Sequence, residues 1–215
     1  MELIGKSCGT DKWSHGFLNF YDSFMSSKKD EPIRFMEIGV FYGASVKMWA
    51  QYFTHPDTEI VGADWFKGEM GNTSKFANPR KAIVENIDSR VKYVELDQGS
   101  LDELKALKDS QGMFDFILDD GSHLMKHQQQ TFGVLFDSIK PGGYFVIEDI
   151  HTSFQGGYDV SRTELTTYQM VELLALKQYP KLTHFKLEEN LIDKIAEVRI
   201  HKTSPQSITC FIRRV

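Results

Sequence analysis

The sequence predicts an α/β protein with a mostly parallel sheet, helices on both faces of that sheet and an antiparallel edge near the C-terminus. Three observations predict this class. Five short apolar segments end at a glycine or an acid, helical patterns separate these segments, and the last third contains strand-like segments without helices between them. Alternating strands and helices favour a parallel sheet, whereas consecutive strands favour antiparallel pairing.

The first predicted strand covers residues 33–40, with the sequence IRFMEIGV. After it, Val46, Trp49, Ala50 and Phe53 recur at helical spacing, which predicts a helix with one apolar face. Further strands are predicted at 59–64, 91–97, 114–120 and 144–149, and further helices near 79–87 and 101–108.

A second apolar stripe, formed by Phe132, Leu135, Phe136 and Ile139, predicts a helix that ends at the Pro-Gly-Gly sequence of residues 141–143. Beyond residue 150 the pattern predicts one helix and then edge strands. The helix is predicted at 163–177, the strands at 183–190, 194–202 and 207–215, and loops at the mouth of a site at 67–79 and 153–161.

Composition limits the classes of function. The chain has 215 residues, of which 41% are hydrophobic and 13% aromatic, and this favours one α/β domain with a substantial core. The net charge of −5, with scattered Lys and Arg, disfavours a nucleic acid and favours a small molecule as partner. Cys8 and Cys210 lack metal-ligand spacing. Without a signal peptide or an apolar run of membrane-spanning length, we expect a cytoplasmic protein with no membrane partner.

A glycine turn follows the first strand, in the sequence EIGVFYGAS at residues 37–45. Gly39 and Gly43 let the backbone approach a ligand, and the next helix offers free N–H groups at its N-terminus. The turn lacks the G-x-G-x-x-G pattern of a pyrophosphate site, and Glu37 would repel phosphate and attract an ammonium group. This favours a cofactor with an amino group and no phosphate; a turn kept only for tight packing is the alternative.

Acids at the ends of the second and third strands predict contacts to a nucleoside. Asp64 is suited to accept both hydroxyls of a ribose, and Asp97 with Gln98 is suited to hold an adenine amino group. An acid that caps the next loop is the alternative for Asp64, and a plain turn is the alternative for the other two residues.

Three carboxylates are predicted to converge beyond the fourth and fifth strands. Asp120 ends the run FDFILDD, and Glu148 and Asp149 end the next strand. At the ~4.8 Å spacing of neighbouring strands, these side chains are within reach of one ion. Oxygen ligands without sulfur favour Mg²⁺, with Ca²⁺ or Mn²⁺ as alternatives. Acids that cap helices or pair with Lys or Arg are the other interpretation.

His123, three residues after Asp120, is the predicted general base. Near pH 7 an imidazole accepts a proton from a hydroxyl that a metal ion has acidified. A loop histidine that only forms hydrogen bonds is the alternative. Asp119 is expected to orient the turn or a cofactor amide. Weaker candidates for the site are His15, His127 and His151.

The motifs EIGVFYG, FDFILDDGSH, IKPGGYFVIED and ITCFIRRV together resemble those of class I methyltransferases that depend on S-adenosylmethionine. The resemblance covers most of the chain. More narrowly, GTDKW, DDGSH and IEDIHTS resemble the metal-dependent sugar O-methyltransferases of macrolide biosynthesis, of the mycinamicin and macrocin type, and the related cephalosporin hydroxylase-like family. The resemblance implies a Rossmann-like fold with a seven-stranded sheet.

The same resemblance implies roles for individual residues. Asp120, Glu148 and Asp149 would hold Mg²⁺, and His123, with Asp120, would carry the catalysis. The residues implied around the cofactor are Glu37, Gly39, Tyr42, Gly43, Ser45, Asp64, Asp97, Gln98 and Asp119.

A two-part organisation is also expected. The GTDK segment would pack over the site, so that residues 1–32 form a helical arm and residues 33–215 the methyltransferase domain. Pairing into a homo-oligomer, through the sheet edge or this arm, is compatible with the sequence.

The predicted reaction is Mg²⁺-assisted O-methylation of a sugar or another vicinal diol in natural product biosynthesis. The metal would lower the pKa of a chelated hydroxyl, His123 would remove its proton, and the oxygen would attack the methyl group in line. Two rival functions remain at this point. One is a nicotinamide-dependent oxidoreductase, which shares the open sheet and Asp64, and the other is a module that binds the methyl donor without turnover.

Overall fold

A seven-stranded β-sheet lies at the centre of the part of the chain that the structure describes. The structure is a computed structural model and describes residues 1–66, 88–158 and 164–215. The strands are β1 (Arg34–Ile38), β2 (Glu59–Asp64), β3 (Val91–Glu95), β4 (Phe114–Asp119), β5 (Ile139–Ile147), β6 (Ile195–Ser204) and β7 (Ser207–Arg214). The helix predicted near 79–87 and parts of both predicted loops lie outside the described residues.

The order of the strands across the sheet is β3-β2-β1-β4-β5-β7-β6. Strands β1 to β5 pair in parallel, and β7 runs antiparallel to both of its neighbours. The predicted sheet, mostly parallel with an antiparallel C-terminal edge, is confirmed. Because the strand order reverses between β1 and β4, a crevice opens beyond the carboxyl ends of these two strands.

Helices cover both faces of the sheet. One face is covered by α1 (Glu2–Cys8), α2 (Leu18–Met25) and α3 (Ala44–Tyr52), and the other by α4 (Leu101–Gln111), α5 (Met125–Leu135) and α6 (Thr167–Ala175). A short helix α7 (Leu191–Lys194) precedes β6. None of the helices within the described residues has the length and apolar character that crossing a membrane requires.

Each face of the sheet has its own hydrophobic core, because successive residues of a strand point to opposite faces. In β4, Phe116 belongs to the core of the α1–α3 face together with Trp49 and Phe211. Its neighbour Ile117 belongs to the opposite core, which also contains Phe132. The central strands are therefore apolar almost throughout, as their sequences indicated.

The first 32 residues share the core of the α1–α3 face. Phe17 and Tyr21 are fully buried and stack with ring centroids 6.0 Å apart. Tyr21 also stacks on Trp49 of α3, at the same separation of 6.0 Å. The arm contains the helices α1 and α2, and the division of the chain at residue 32 stays a prediction.

The predicted boundary between α5 and β5 is wrong. Helix α5 ends at Leu135, a 3-10 turn covers Phe136–Ser138, and β5 begins at Ile139. The Pro-Gly-Gly sequence therefore lies within a strand, where the pairing of β4 with β5 shifts in register. Such an irregularity accommodates proline and glycine in a sheet. The apolar stripe continued across the boundary because the helix and the first strand residue are both buried.

The strand predicted at 183–190 is also wrong, since this segment has no strand residue. Phe185 and Leu187 instead pack over Gly133 of α5, where the absent side chain leaves room for them. The helix predicted at 163–177 is shorter than expected. It is α6, which begins with a capping box formed by Thr166 and Gln169.

The turn after β1 depends on Gly39, whose φ of +94° is accessible mainly to glycine. A Cβ at this position would overlap the carbonyl oxygen of Asp120 and would lie 2.9 Å from the Cα of Gly121. The absence of a side chain therefore lets the loops after β1 and β4 touch.

We expect Gly39→Ala to lower the free energy of unfolding by at least about 2 kcal/mol, through backbone strain and the displaced DDGSH turn. Urea denaturation measures this loss. The matched control is Gly156→Ala, because a Cβ at residue 156 meets no atom within 4 Å, and its effect should stay within about 0.5 kcal/mol. Equal stability of the two variants would contradict the proposed contact.

Candidate active site

A cavity of about 730 Å³ lies in the crevice where the strand order reverses. The predicted cofactor residues that line it are Gly39, Tyr42, Ser45, Asp64, Asp97 and Gln98. The predicted residues Glu37, Gly43 and Asp119 are not part of its lining. The cavity is also lined by Gly9, Thr10 and Asp11, from the segment between α1 and α2.

Asp64 and Asp97 shape the loops that follow β2 and β3. The Asp64 carboxylate accepts hydrogen bonds from the backbone N–H groups of Val40 (2.7 Å) and Phe41 (3.1 Å) in the glycine turn. Asp97 accepts one from the N–H of Gly99 at 2.8 Å. Both acids therefore stabilise turns while they face the cavity, and their contacts to a nucleoside stay predictions.

Gln98 connects the loop after β3 with the DDGSH turn after β4. Its amide nitrogen donates to Asp119 at 2.6 Å, and its amide oxygen accepts from the backbone N–H of Ser122 at 3.0 Å. Both ends of the amide are thus engaged within the protein. This geometry fits the plain-turn interpretation, and a contact of Gln98 to adenine stays a prediction.

Helix α5 supplies two glutamines to the same loops, and sequence analysis missed both. Gln128 donates to the backbone carbonyl of Glu148 at 3.0 Å, and Gln130 donates to that of Gln98 at 2.7 Å. Each glutamine is 1% exposed. The sequence signal that could have found them is a set of polar residues on a buried helix, because buried amides need hydrogen-bond partners. Here the partners are loop carbonyls.

A buried lysine lies among the predicted catalytic acids, and sequence analysis missed it as well. Lys12 is 1% exposed, and its ammonium is 3.0 Å from Glu148, 3.3 Å from Glu37 and in direct contact with Asp120. The hydroxyl of Tyr21 donates a further hydrogen bond to Glu148 at 2.5 Å. The crowded acids did predict a nearby cation, but the cation expected was a metal ion.

One ammonium is shared by three carboxylates, so this cluster keeps a formal charge of −2. Burial alone would lower the pKa of Lys12, but Asp120, Glu148 and Glu37 raise it well above its ordinary value. Burial raises the pKa of Glu37 to about 7. Burial and the Asp120 charge raise the pKa of Glu148 well above its usual range. One ammonium cannot offset three carboxylates, so the acids either take up protons or attract a further positive charge.

Asp120, His123 and Asp149 form a group suited to a metal ion. One ligand atom from each residue lies within 4.8 Å of the other two. The His123 Nε2 atom is 3.7 Å from Asp149 Oδ2. Glu148 lies outside this group, and its carboxylate contacts Lys12 and Tyr21. Its predicted role as a metal ligand stays a prediction.

Several atoms of this region are buried without a hydrogen-bond partner among the described residues. They are Nδ1 of His123, Oδ1 of Asp149 and Nδ1 of His151. Leaving a buried polar atom unpaired costs about 1–3 kcal/mol. His123 and Asp149 also have positive φ values of 58° and 53°. Such strained conformations concentrate at functional sites, so both observations fit a bound ligand here.

The three histidines of lower rank differ in their surroundings. His15 forms a hydrogen bond with the hydroxyl of Ser207 at 2.7 Å, away from the cavity lining. His127 lines the cavity and forms a hydrogen bond with the hydroxyl of Ser122 at 2.8 Å. His151 lies beside the metal-binding group, with Nδ1 3.6 Å from the nearest carboxylate oxygen of Asp149.

The strand order, the glycine turn and the acid-lined crevice are features of a methyltransferase domain. The family model described as a methyltransferase domain matches residues 36–150, more than half of the chain, and the chain belongs to this family. The match runs from β1 to the residue after Asp149, so it contains the predicted metal ligands and His123.

Curated relatives are O-methyltransferases by name. The chain is 31% identical to the 8-demethyl-8-(2-methoxy-alpha-L-rhamnosyl)-tetracenomycin-C 3'-O-methyltransferase of Streptomyces olivaceus, over 72% of this chain and 37% of the relative. It is also 31% identical to the demethylmacrocin O-methyltransferase of Streptomyces fradiae, over 84% of this chain and 44% of the relative. The chain thus spans less than half the length of these relatives. The resemblance to the macrocin-type enzymes is confirmed.

Solved structures share the fold. The methyltransferase MycE from the mycinamycin biosynthetic pathway, in complex with Mg, SAH and mycinamycin VI, matches 99% of this chain and 54% of its own. The TM-score is 0.73 and the sequence identity is 23%. The O-methyltransferase TomG of Streptomyces achromogenes, in complex with SAM, covers 92% of this chain and 79% of its own, with a TM-score of 0.59 and 15% identity.

Asp119 makes the free energy of unfolding depend on pH. Burial raises the pKa of this carboxyl to about 6, compared with about 3.9 in an unfolded chain. Between about pH 4 and pH 6 the folded protein therefore binds a proton that the unfolded chain releases. The free energy of unfolding falls as the pH rises through this window.

We expect Asp119→Asn to remove this contribution. The stability of the variant relative to the wild type should rise by roughly 2–3 kcal/mol between pH 4 and pH 6.5 in urea denaturation. The control Asp109→Asn alters an exposed carboxylate of α4 and should give a curve parallel to that of the wild type. A parallel curve for Asp119→Asn would show that the carboxyl is not protonated in this range.

Proposed function

We propose that the chain transfers a methyl group from S-adenosylmethionine to a hydroxyl of a small acceptor, a sugar or a sugar-bearing natural product. The observation that carries this proposal is the contact between two features. Asp120 and His123 line the cavity at the strand-order reversal. The same two residues belong to the group suited to a metal ion.

The cavity suits a cationic donor. Its volume of about 730 Å³ lies within the range of small-molecule and cofactor sites. Its described lining contains carboxylates and neither Lys nor Arg. The carboxylates are those of Asp11, Asp64, Asp97 and Asp120. This charge favours a sulfonium and an ammonium group, and it opposes the pyrophosphate of a nicotinamide cofactor. The oxidoreductase alternative is therefore disfavoured.

The donor atoms near Asp120 suit a hard divalent ion. Carboxylate oxygens are the ligands that Mg²⁺ prefers, and the under-compensated charge of the acids adds to the attraction. We propose that Asp120, Asp149 and Glu148 would hold the ion. When bound, the ion would supply positive charge that lowers the pKa of an acceptor hydroxyl and holds two vicinal oxygens.

His123 is the proposed general base. Its Nε2 atom is 3.7 Å from the Asp149 carboxylate, so the imidazole lies beside one of the acids proposed to hold the ion. The backbone carbonyl of His123 accepts a hydrogen bond from the Thr152 hydroxyl at 3.2 Å, which ties the DDGSH turn to the loop after β5. The imidazole would take the hydroxyl proton as the acceptor oxygen attacks the methyl carbon, and the sulfur would leave with the bonding electron pair.

The names of the relatives support a glycosylated acceptor, since they refer to rhamnosyl and macrocin substrates. The described lining also lacks cations for a phosphate group. A cytoplasmic location and pairing into a homo-oligomer remain predictions. Non-catalytic donor binding is the second function to be tested, because it requires only the cavity and not the proposed base or ion.

Titration calorimetry with S-adenosylhomocysteine and NADH tests the donor class. We expect binding of S-adenosylhomocysteine in the micromolar range and no heat with NADH, since the site opposes pyrophosphate. Methyl transfer to a panel of glycosides should then stop with EDTA and return with Mg²⁺. Turnover that EDTA leaves intact would remove the metal role, and binding without turnover on any glycoside would favour the non-catalytic module.

For His123→Ala we expect the methyl transfer rate to fall by about 10²–10⁴-fold with little change in S-adenosylhomocysteine affinity, because only the proton acceptor is lost. Single-turnover kinetics with radiolabelled donor measures the rate. His201→Ala, at a histidine stacked on Phe20 away from the cavity, is the control and should keep the wild-type rate. An active His123→Ala enzyme would exclude His123 as the base.

A further inference from the structure

Lys12 connects the N-terminal segment to three separate parts of the sheet. It lies in the loop between α1 and α2, and its ammonium contacts Glu37 in β1, Asp120 directly after β4 and Glu148 directly after β5. No other Lys or Arg among the described residues forms an ion pair with any of these three acids. One side chain therefore provides the cationic partner for acids at three strand ends.

The residues just before Lys12 face in a different direction. Gly9, Thr10 and Asp11 line the cavity, whereas the Lys12 side chain is buried against the acids. The backbone carbonyl of Lys12 also accepts a hydrogen bond from the N–H of Phe17 at 3.1 Å. One wall of the cavity and one buried cation thus belong to the same short stretch of chain.

Removing the ammonium would change the charge that this buried region must hold. With Lys12 the three acids share one cation, and without it no Lys or Arg among the described residues would pair with them. Buried carboxylates that lose their cation either take up a proton or move towards water. Because Asp120 lines the cavity, its carboxylate can reach water by turning into it. Residues 9–12 would then lose their ion pair with the loop after β4.

We propose that Lys12 is a positioning residue that holds the Asp120 and Glu148 carboxylates in place and anchors the cavity wall formed by Gly9, Thr10 and Asp11. The effect on the wall follows from the contacts alone. The effect on donor affinity rests on the proposed function, since it requires the donor to occupy this cavity. Lys12 itself touches neither donor nor acceptor in this role.

Limited proteolysis with chymotrypsin tests whether Lys12 holds residues 9–12 in their folded position. Trp13 follows Lys12 and is 43% exposed, but cleavage after it requires the surrounding chain to leave its folded position. For Lys12→Met, which keeps the length of the side chain and removes its charge, we expect cleavage after Trp13 to accelerate at least tenfold. Lys126→Met, at an exposed lysine of α5, is the control and should match the wild type.

Two further variants separate charge from packing. Lys12→Arg keeps the positive charge, and the double variant Lys12→Met/Glu148→Gln returns the cluster to −2 while the glutamine oxygen still accepts from Tyr21. We expect both to be cleaved at least threefold more slowly than Lys12→Met. If Lys12→Met does not fold, the double variant carries the test, and a folded, slowly cleaved double variant supports the role of charge.

The proposal is overturned if Lys12→Met is cleaved within twofold of the wild-type rate. It is also overturned if neither Lys12→Arg nor the double variant recovers, because packing would then explain the loss. Calorimetry with S-adenosylhomocysteine gives the second readout, with an expected fivefold or greater rise in Kd for Lys12→Met and recovery in Lys12→Arg. A wild-type protein that does not bind S-adenosylhomocysteine would refute the proposed function and leave the cleavage result to decide the role of Lys12.

Discussion

The ion cluster of Lys12 with Glu37, Asp120 and Glu148 is the constraint on which the site depends. Buried carboxylates at adjacent strand ends repel one another, and they remain together only when a cation offsets part of their charge. The protein supplies that cation from its N-terminal segment, so the arm, the sheet and the crevice form one electrostatic unit. The residual negative charge of this unit supports the proposal that the crevice takes a sulfonium donor and a divalent ion.

The loops that carry the acids are held mainly by neutral groups. Gln98 bridges the loops after β3 and β4, Gln128 holds the backbone of Glu148, and Gln130 holds the backbone of Gln98. Gly39 allows the loop after β1 to touch the loop after β4. Amides satisfy loop carbonyls and N–H groups without adding charge. The loops around the carboxylates are therefore held without added positive charge.

Sequence reasoning succeeded where the signal was local. The apolar runs and the acids at their ends predicted the central strands, the glycine turn and the crowded carboxylates near Asp120. It failed where partners come from distant parts of the chain. Lys12 is 108 residues from Asp120, and nothing in GTDKW distinguishes a buried lysine from an exposed one. Segment 183–190 alternates like a strand, but its apolar residues Phe185 and Leu187 pack over Gly133 of α5 instead.

By itself, the sequence determined the periodicity of burial and the chemistry of the strand ends, since both depend on residues that are close along the chain. Tertiary structure decided which cation meets which acid. It also placed the Asp64 and Gln98 side chains on the backbone of neighbouring turns and the Glu148 carboxylate against Tyr21 and Lys12. These choices depend on distances between elements far apart in sequence, and on the requirement that each buried charge and amide find a partner once the chain has folded.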